Sequence, residues 1–357
     1  MTTISSDKPA ADSSQLGKHV KLVVWDLDNT IWDGILLEDR LPTLRPGVAD
    51  LIRGLDGLGV LQSIASRNDH AMAMAHLGQL GLSEYFLSPE ISWSAKSVSV
   101  AAIASGLNLS LDTVLFIDDQ PFELEEVAHT HPEVRTLNAA DIPNLLDDPL
   151  IRPVVITDDA KRRRVMYLQD KARQQSAEEF IGPPEEFTAS LNMLLHIERA
   201  VTGDLDRVEE MTLRTNQLNS TGYIFSRDEL DRLVDSKSHD LLIVSLQDRF
   251  GDYGKIGLVL IESEEAGWNI KLLLVSCRVL SRGIGTIVLN YIAARAAAAA
   301  ATLRVEFRDT GRNRPMKIAL MMAGFHSAGS QDGVSVFLQN EGAIASCPAY
   351  VQLTSAW

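Results

Sequence analysis

The stretch VVWDLDNTIWDG, residues 23–34, decides how the first half of the chain folds. An apolar run, Leu22–Trp25, has the length of a short buried strand and leads directly into two aspartates, Asp26 and Asp28. Two isolated carboxylates so close in the chain repel each other, and one of them would take up a proton. A divalent cation removes this conflict, so the pattern predicts a metal-dependent site at the end of the strand.

Strands and helices alternate through the first half of the chain. The apolar runs predict strands at Leu22–Trp25, Val60–Ala65 and Val114–Ile117, and the segments between them predict helices at 46–59, Asn68–Gly81 and Lys96–Gly106. This alternation predicts an α/β fold with a parallel sheet that has helices on both faces. The carboxyl ends of such strands meet at one edge, where α/β proteins carry their chemistry.

Polar side chains follow each of these strands at that edge. They are Asp26 and Asp28 after the first strand, Ser66, Arg67 and Asn68 after the second, Asp118 and Asp119 after the third, and Lys96 at the start of the third helix. Mg²⁺ suits a few carboxylates together with water and a substrate phosphate. An aspartate in such a site can attack phosphorus, while a second acts as general acid or base. The predicted metal ligands are Asp26, Asp28, Asp118 and Asp119.

The order of these motifs resembles the haloacid dehalogenase (HAD) superfamily over about residues 20–150. The resemblance rests on DLDNT, on Ser66 after an apolar strand, on Lys96 and on the IDD sequence at 117–119. It implies that Asp26 is the nucleophile, that Asp28 is the acid/base, and that Ser66 and Lys96 orient the phosphoryl group. Asp118 is then a metal ligand, and Asp119 acts through the metal shell. Short connections after Thr30 and Ser66 predict a small or absent cap domain.

The length of 357 residues predicts two domains. Prolines at 149 and 153 and the sequence Gly182-Pro183-Pro184 favour a boundary within residues 150–185. We therefore predict a disordered leader at 1–19, a HAD-type Rossmann-like domain at 20–150, a helical linker at 151–185 and a second domain at 186–357.

The second half has its own pattern of strands. Apolar runs at Leu191–Ile197, Leu241–Leu246, Gly257–Ile261 and Ile270–Val275 are separated by turn signals at 251–254 and 264–267, which predicts an antiparallel meander. A helix from Gly285 through Ala301 and a strand at Leu303–Arg308 follow.

The stretch VSCRVLSRGIGTIVL, residues 275–289, is a predicted strand followed by Arg282, Gly283 and a helix. Glycine permits close approach of a ligand, and the free N–H groups of a helix start favour phosphate. The stretch is similar to the acetyltransferase-type (GNAT) loop that holds the pyrophosphate or phosphopantetheine arm of coenzyme A, although an ordinary helix start has the same pattern. The segment Asn313–Phe325 is similar to the closing helix of that fold, which predicts a mixed α+β second domain.

Both halves together resemble the FkbH-like family. The supporting stretches are DLDNTIWDG, SRND, FIDDQPFE, RTNQLN at 214–219, DRFGDYGKIG at 248–257, SCRVLSRG at 276–283 and GRNRP at 311–315. The resemblance implies a glyceryltransferase/phosphatase that transfers a glyceryl unit from 1,3-bisphosphoglycerate to an acyl carrier protein, for polyketide extender units such as methoxymalonyl. Mg²⁺ and the phosphopantetheine arm of the carrier are the implied cofactors. Ser281 and Gly285 stand where the family usually has glycine and glutamate.

Residues of the second half are predicted to handle the carrier arm and the glyceryl group. Cys277 is either a transient carrier of the glyceryl group, with Arg278 lowering its pKa, or a buried strand residue while the thiol of the carrier itself attacks. The predicted substrate- or phosphopantetheine-binding residues are Arg67, Asn68, Asn216, Asp248, Arg249, Arg278, Arg282, Gly283 and Asn313. Several of these are also ordinary turn or cap residues, which leaves a structural role open.

Composition limits the class of partner. The net charge of −15 argues against a nucleic-acid surface, and no stretch is long and apolar enough to span a membrane. The leader lacks a secretory core and only two cysteines are present, so we expect a cytoplasmic protein. The basic run at 161–164 predicts either a solvated helix face or a patch for an acidic partner. Two alternative functions stay open: a stand-alone small-molecule HAD phosphatase with a regulatory or docking domain, and a docking module with an inert HAD half.

Overall fold

A computed structural model describes residues 19–38, 42–153, 155–265, 267–340, 342 and 344–357. The predicted leader lies outside the described residues except for His19. The chain divides into two compact units between Leu168 and Gln169, inside the stretch predicted as a linker. Within the described residues, no helix is long and apolar enough to cross a membrane.

The N-terminal unit is built on a parallel sheet with helices on both faces. Its strands are β1 (Leu22–Trp25), β2 (Trp32–Asp33), β3 (Thr43–Leu44), β4 (Leu61–Ser66), β5 (Glu90–Ile91), β6 (Val114–Asp118) and β7 (Arg135–Asn138). Its helices are α1 (Val48–Gly57), α2 (His70–Gln79), α3 (Lys96–Gly106), α4 (Pro121–Thr130) and α5 (Asp158–Lys161), and α6 (Arg163–Glu178) starts there. The sheet order over the described strands is β5-β4-β1-β6-β7, all parallel. This order is that of a doubly wound, Rossmann-like sheet, which confirms the predicted α/β class.

The first strand is apolar throughout because both faces of the sheet are covered. Val23 and Trp25 pack into one hydrophobic cluster, and Leu22 and Val24 pack into a second cluster on the other face. The same strand therefore fixes the centre of the sheet and delivers Asp26 to its carboxyl edge. Between Asp28 and α1, the described residues form only the short antiparallel pair β2–β3 as regular structure.

The predicted helix limits hold to within a few residues. The third helix, α3, has the predicted bounds Lys96–Gly106, while α1 starts two residues after Pro46. Of the two predicted caps of α2, Asp69 is the N-cap, and its side chain accepts a hydrogen bond from the backbone N–H of Met72.

The C-terminal unit is a mixed sheet with helices. Its strands are β8 (Met193–Arg199), β9 (His239–Asp248), β10 (Gly251–Glu264), β11 (Gly267–Val275), β12 (Leu303–Arg308), β13 (Phe325–Gln331), β14 (Val334–Gln339) and β15 (Val351–Ser355). Its helices are α7 (Pro184–Ser190), α8 (Leu205–Arg214), α9 (Arg227–Val234), α10 (Ile284–Ala298) and α11 (Arg314–Met322). The order of these described strands is β13-β14-β12-β11-β10-β9-β8-β15. The strands β8 to β11 form the predicted antiparallel meander, so the mixed α+β class is confirmed.

Two details differ from the prediction. Residues 251–254 are the start of β10 rather than a turn. The pairing register of β10 with β9 shifts on both sides of Lys255, as at a β-bulge. The closing helix ends at Met322 because Gly324 has φ 82°, and Phe325 already belongs to β13.

Strands β11 and β12 are parallel but pair only at one end, over Trp268–Ile270. Farther along, a segment of the chain itself lies between them. The N–H of Val275 donates to the carbonyl of Leu218 at 2.8 Å, and the N–H of Arg308 donates to the carbonyl of Ser220 at 2.9 Å. The diverging strands are therefore bridged by residues 218–220.

Candidate active site

Lys96 lies between two buried aspartates at the carboxyl edge of the parallel sheet. Its Nζ donates to Asp26 Oδ1, to Asp118 Oδ2 at 3.0 Å and to the carbonyl of Ala65 at 2.9 Å. Asp26 follows β1, Asp118 ends β6, and Lys96 starts α3. The three charged groups are at most 5% exposed, so they interact with little screening by water.

A third carboxylate completes an acidic cluster. Oxygens of Asp26, Asp118 and Asp119 all lie within 4.8 Å of one another. Asp119 Oδ1 is buried and has no hydrogen-bond partner among the described residues. Three carboxylates with a single ammonium group leave a net charge of −2 when all are ionised, which a divalent cation would neutralise.

Burial governs the protonation of this cluster. Burial, together with the charge of the neighbouring Asp118, raises the pKa of Asp26 to about 6 against the attraction of Lys96. Burial also raises the pKa of Asp118 and of Asp119. For Lys96, burial acts against the charged form, but the attraction of Asp26 and Asp118 outweighs it and its pKa is raised.

The carboxylate of Asp28 lies apart from this group of three. Its Oδ1 accepts hydrogen bonds from Trp32 Nε1 at 2.8 Å and from the N–H of Leu36 at 3.1 Å. Its Oδ2 accepts one from Asn68 Nδ2 at 3.1 Å. The sequence pattern predicted this side chain as a metal ligand as well; in the structure, both of its oxygens accept hydrogen bonds from protein donors.

Ser66, the last residue of β4, and the two residues after it each make a different contact at this edge of the sheet. The Ser66 hydroxyl donates to Asp26 and lowers its pKa, and Asn68 binds Asp28 as described above. Arg67 forms an ion pair with Glu123 Oε1 at 2.9 Å and donates to the carbonyl of Ser94 at 3.4 Å. Asn68, predicted to bind substrate, is buried, and its side-chain amide donates to Asp28.

Two residues of this edge were missed by the sequence reasoning. Trp32 donates to Asp28, and its ring packs edge-on against His76 at a centroid distance of 5.0 Å. Glu123 is 4% exposed and binds Arg67. Both lie within quoted motifs, in DLDNTIWDG and FIDDQPFE, but nothing in a linear pattern shows which side chain each would contact.

In the C-terminal unit, several predicted residues surround Tyr253. Asp248 is bound by Arg173 through two hydrogen bonds of 2.7 and 2.9 Å, and the Tyr253 hydroxyl donates to it at 2.9 Å. Burial acts to raise the pKa of Asp248, but the bonds from Arg173 outweigh it and the pKa is lowered. Asp248 therefore has the contacts of a structural ion pair.

Two further arginines lie close to the same tyrosine. Arg278 Nη2 donates to the Tyr253 carbonyl at 3.0 Å, and the Arg282 guanidinium lies 5.2 Å from the ring centroid. Arg282 Nε and Nη1 are buried and have no hydrogen-bond partner among the described residues. Gly283, with φ 65°, caps α10 directly after Arg282, and Cys277, which is partly buried and not in a disulfide, lies at the start of this turn. This corner of the unit is therefore cationic.

The remaining predicted residues of this unit lie elsewhere. The Arg249 guanidinium is exposed, stacks at 4.8 Å on Phe250 and donates to Ser176. Asn216 is exposed on the segment after α8. Asn313 is fully buried, and its Nδ2 donates to the carbonyls of Asn219 at 2.9 Å and Arg308 at 2.8 Å. The amide of Asn313, which was predicted to bind substrate or phosphopantetheine, thus contacts the bridging segment.

The basic run at 161–164 is engaged within the N-terminal unit. Arg163 donates to the carbonyl of Gly59, and Arg164 pairs with Asp56 at 3.0 Å and Glu84 at 3.2 Å. These contacts hold the first residues of α6 against the rest of the N-terminal unit.

A scan of protein-family models found no match, and neither did a search of curated proteins. Among solved structures, the chain is similar to the N-terminal part of the protein BF1531 from Bacteroides fragilis, which contains a phosphatase domain and was complexed with Mg. The identity is 23% and the TM-score is 0.34, and the similarity covers 37% of this chain and 40% of that chain.

Two other solved structures extend this comparison. The chain is similar to 3-deoxy-D-manno-octulosonate 8-phosphate phosphatase from Moraxella catarrhalis, in complex with magnesium, phosphate and KDO, at 21% identity and a TM-score of 0.27, over 33% of this chain and 66% of that chain. It is also similar to the ribosomal-protein-S18-alanine N-acetyltransferase from Escherichia coli, at 14% identity and a TM-score of 0.31, over 40% of this chain and 90% of that chain. Each similarity covers less than half of this chain.

Proposed function

We propose that the N-terminal unit is a Mg²⁺-dependent phosphatase with Asp26 as its nucleophile. The observation that carries the proposal is the convergence of Asp26, Asp118 and Asp119 around a single Lys96. Such a cluster is costly without a cation, because burial raises the pKa of all three carboxyl groups.

The residues present fit Mg²⁺. Asp26, Asp118 and Asp119 offer carboxylate oxygens, and Asp119 Oδ1 is buried without a partner in the described part of the chain. Oxygen ligands of this kind, few in number, are those that Mg²⁺ prefers. When bound, the ion would supply positive charge that favours the ionised carboxylates and stabilises the phosphoryl oxygens.

The protein groups then divide the reaction between them. The Asp26 carboxylate attacks phosphorus, so a new P–O bond to Asp26 forms as the bond to the leaving oxygen breaks. Asp28, fixed by Trp32, Leu36 and Asn68, gives a proton to the leaving oxygen and takes one from the water that later frees Asp26. Lys96 compensates the negative charge that gathers beside Asp26.

The finer proposal is a glyceryltransferase/phosphatase that takes 1,3-bisphosphoglycerate and forms a glyceryl thioester on an acyl carrier protein. A thiolate attacks the acyl carbon, so a C–S bond forms as the C–O bond of the acyl phosphate breaks and inorganic phosphate leaves, which needs no metal. The phosphate monoester at the other end requires the aspartate cluster. The cationic corner around Arg278 and Arg282 supports a place for the phosphate of the carrier arm.

Intact-mass analysis of a carrier protein with its phosphopantetheine arm tests this proposal. With Mg²⁺ and 1,3-bisphosphoglycerate, we expect the carrier to gain a glyceryl group without phosphate. Asp26→Asn should leave the phosphate on the product, because thioester formation does not need Asp26. The control is Asp50→Asn, an exposed aspartate on α1. Dephosphorylated product from Asp26→Asn at the wild-type rate would rule out Asp26 as nucleophile.

The role of Cys277 needs a separate variant. If Cys277 carries the glyceryl group in transit, Cys277→Ala should abolish transfer to the carrier while phosphate release from a simple monoester continues. Normal transfer by Cys277→Ala would leave the carrier thiol as the direct attacking group.

A stand-alone small-molecule phosphatase is the second candidate. It is favoured by the fact that Asp26, Asp28, Lys96, Asp118 and Asp119 all belong to one unit. It predicts that the full chain hydrolyses small phosphate monoesters without any carrier protein, and that an added loaded carrier does not inhibit this hydrolysis.

A further inference from the structure

The ion pair between Arg67 and Glu123 spans the site from one side of β1 to the other. Arg67 follows β4, Glu123 lies in the first turn of the helix after β6, and β4 and β6 flank β1 in the sheet. A contact between them, 2.9 Å from Arg67 Nη1 to Glu123 Oε1, therefore crosses the region of the edge where Asp26 lies.

The immediate neighbours of Arg67 touch the site directly. Ser66 donates to Asp26, and Asn68 donates to Asp28. Arg67 also donates through Nε to the carbonyl of Ser94, two residues before Lys96. The residues on both sides of Arg67 thus contact Asp26 and Asp28, and Arg67 itself is bound to the segment that leads into Lys96.

The two partners of the pair differ in their access to solvent. The Glu123 side chain is 5% exposed, whereas that of Arg67 is 41% exposed. Arg67 contacts Glu123 through Nη1 and the Ser94 carbonyl through Nε, and Glu123 Oε2 is buried without a hydrogen-bond partner among the described residues. The buried Glu123 carboxylate is therefore held in place, and the Arg67 guanidinium that it binds has N–H groups on its solvent-exposed side.

We propose that Glu123 is a positioning residue that holds Arg67 to bind a second anionic group of the substrate, next to the phosphate that is hydrolysed. The inference rests on the proposed phosphatase function and adds a substrate class: phosphate monoesters that carry a carboxylate or a second phosphate. An arginine fork held on one side by an ion pair keeps N–H groups for such an oxyanion.

The experiment compares two substrates that differ only in the second anion. They are 3-phosphoglycerate, with a carboxylate, and glycerol 3-phosphate, in which an alcohol replaces it. The ratio of their kcat/KM values is measured for the wild-type chain with Mg²⁺ and for each variant. The wild-type ratio should favour 3-phosphoglycerate.

Two variants test the pair. Arg67→Gln alone would leave the Glu123 charge buried and unpaired, so it is made together with Glu123→Gln. In the double variant, the ratio should fall by about 10- to 100-fold, as expected for losing a charge-assisted hydrogen bond. Arg53→Gln, which breaks an exposed ion pair with Asp50 on α1, is the matched control and should leave the ratio as in the wild type.

Glu123→Gln alone separates positioning from simple neutralisation. If Glu123 positions Arg67, this variant raises KM for 3-phosphoglycerate several-fold and acts on KM more than on kcat. A lower KM would mean that Glu123 only weakens the charge of Arg67, and would overturn the positioning role. An unchanged ratio in the double variant would overturn the inference while leaving the phosphatase intact. Failure of the wild type to hydrolyse either substrate would overturn the proposed function and this inference with it.

Discussion

Asp26 shares its single counter-ion, Lys96, with Asp118, and this shared contact makes the cluster sensitive to pH. The pKa of Asp26 is raised to about 6 from its ordinary value of 3.8, chiefly by burial. The folded protein therefore binds a proton on Asp26 more tightly than the unfolded chain does. In the absence of metal, this group favours the folded state below pH 3.8, and that contribution is lost as the pH rises to about 6.

The stabilisation by Mg²⁺ should have the opposite dependence on pH. Because the ion binds ionised carboxylates, protons compete with it, and the rise in Tm on adding Mg²⁺ should be larger at pH 7.5 than at pH 5. Thermal unfolding at both pH values, with EDTA or with Mg²⁺, measures this difference. Asp26→Asn should reduce it, whereas Asp50→Asn should not. An equal Mg²⁺ effect at both pH values would contradict the assignment of the cluster as the metal site.

Trp32 offers a test of how Asp28 is held. Trp32→Phe removes the N–H donor to Asp28 Oδ1 but keeps an aromatic ring in a fully buried position. We expect kcat for phosphate release to fall about tenfold, the usual value of a hydrogen bond to a charged group, with a smaller change in KM.

The matched control for Trp32 is Trp25→Phe. Trp25 is equally buried and donates to Gln62 instead of an aspartate. Both variants should lose comparable stability in thermal unfolding, but only Trp32→Phe should lose kcat. Equal kcat in the two variants would show that Trp32 does not orient Asp28.

Strands β11 and β12 show how one element of the C-terminal unit is completed by a distant segment. The two strands separate after Ile270, and residues 218–220 fill the gap with backbone hydrogen bonds to both of them. Asn313, just before α11, fixes this segment because its amide binds carbonyls on Asn219 and Arg308.

Loss of this amide should destabilise the unit. Asn313→Ala leaves buried carbonyl groups without their donor, and we expect a loss of about 2–3 kcal/mol in the free energy of unfolding, measured by urea denaturation. Asn290→Ala is the control, since Asn290 is 8% exposed and its Oδ1 has no hydrogen-bond partner among the described residues. It should cost less than half as much. A loss of carrier binding without a loss of stability in Asn313→Ala would instead support its original assignment as a binding residue.

At the scale of the whole molecule, each unit has its own hydrophobic core. The N-terminal clusters lie on the two faces of the parallel sheet, and the C-terminal clusters lie on the two faces of the mixed sheet. Because the cores are separate, we expect the two units to unfold in separate transitions.

Calorimetry should therefore resolve two transitions. Mg²⁺ should raise only the one that belongs to the N-terminal unit. Arg173→Ala should destabilise only the C-terminal unit, by about 3–5 kcal/mol in its free energy of unfolding, because it leaves the Asp248 charge buried and unpaired. Arg227→Ala removes exposed ion pairs on α9 and should leave both transitions close to their wild-type temperatures. A single transition that both Mg²⁺ and Arg173→Ala shift would show that the two units unfold together.

The sequence by itself predicted the three central strands of the N-terminal sheet and grouped the members of its acidic cluster, together with Asp28. Strand ends in a parallel sheet meet at one edge, so Asp26, Lys96, Asp118 and Asp119 could be grouped from their places after or before predicted elements. It also predicted the meander of β8 to β11, because apolar runs and turns are local signals.

Only the tertiary structure decided what each polar side chain does. The ion pairs Arg67–Glu123 and Arg173–Asp248, the amide contacts of Asn313 and the pairing of β15 with β8 all join residues far apart in the chain. A side-chain contact across such a separation depends on how the elements pack, to within an ångström. Composition and periodicity identify a polar residue at a strand end, and packing determines whether it faces a ligand or another residue of the protein.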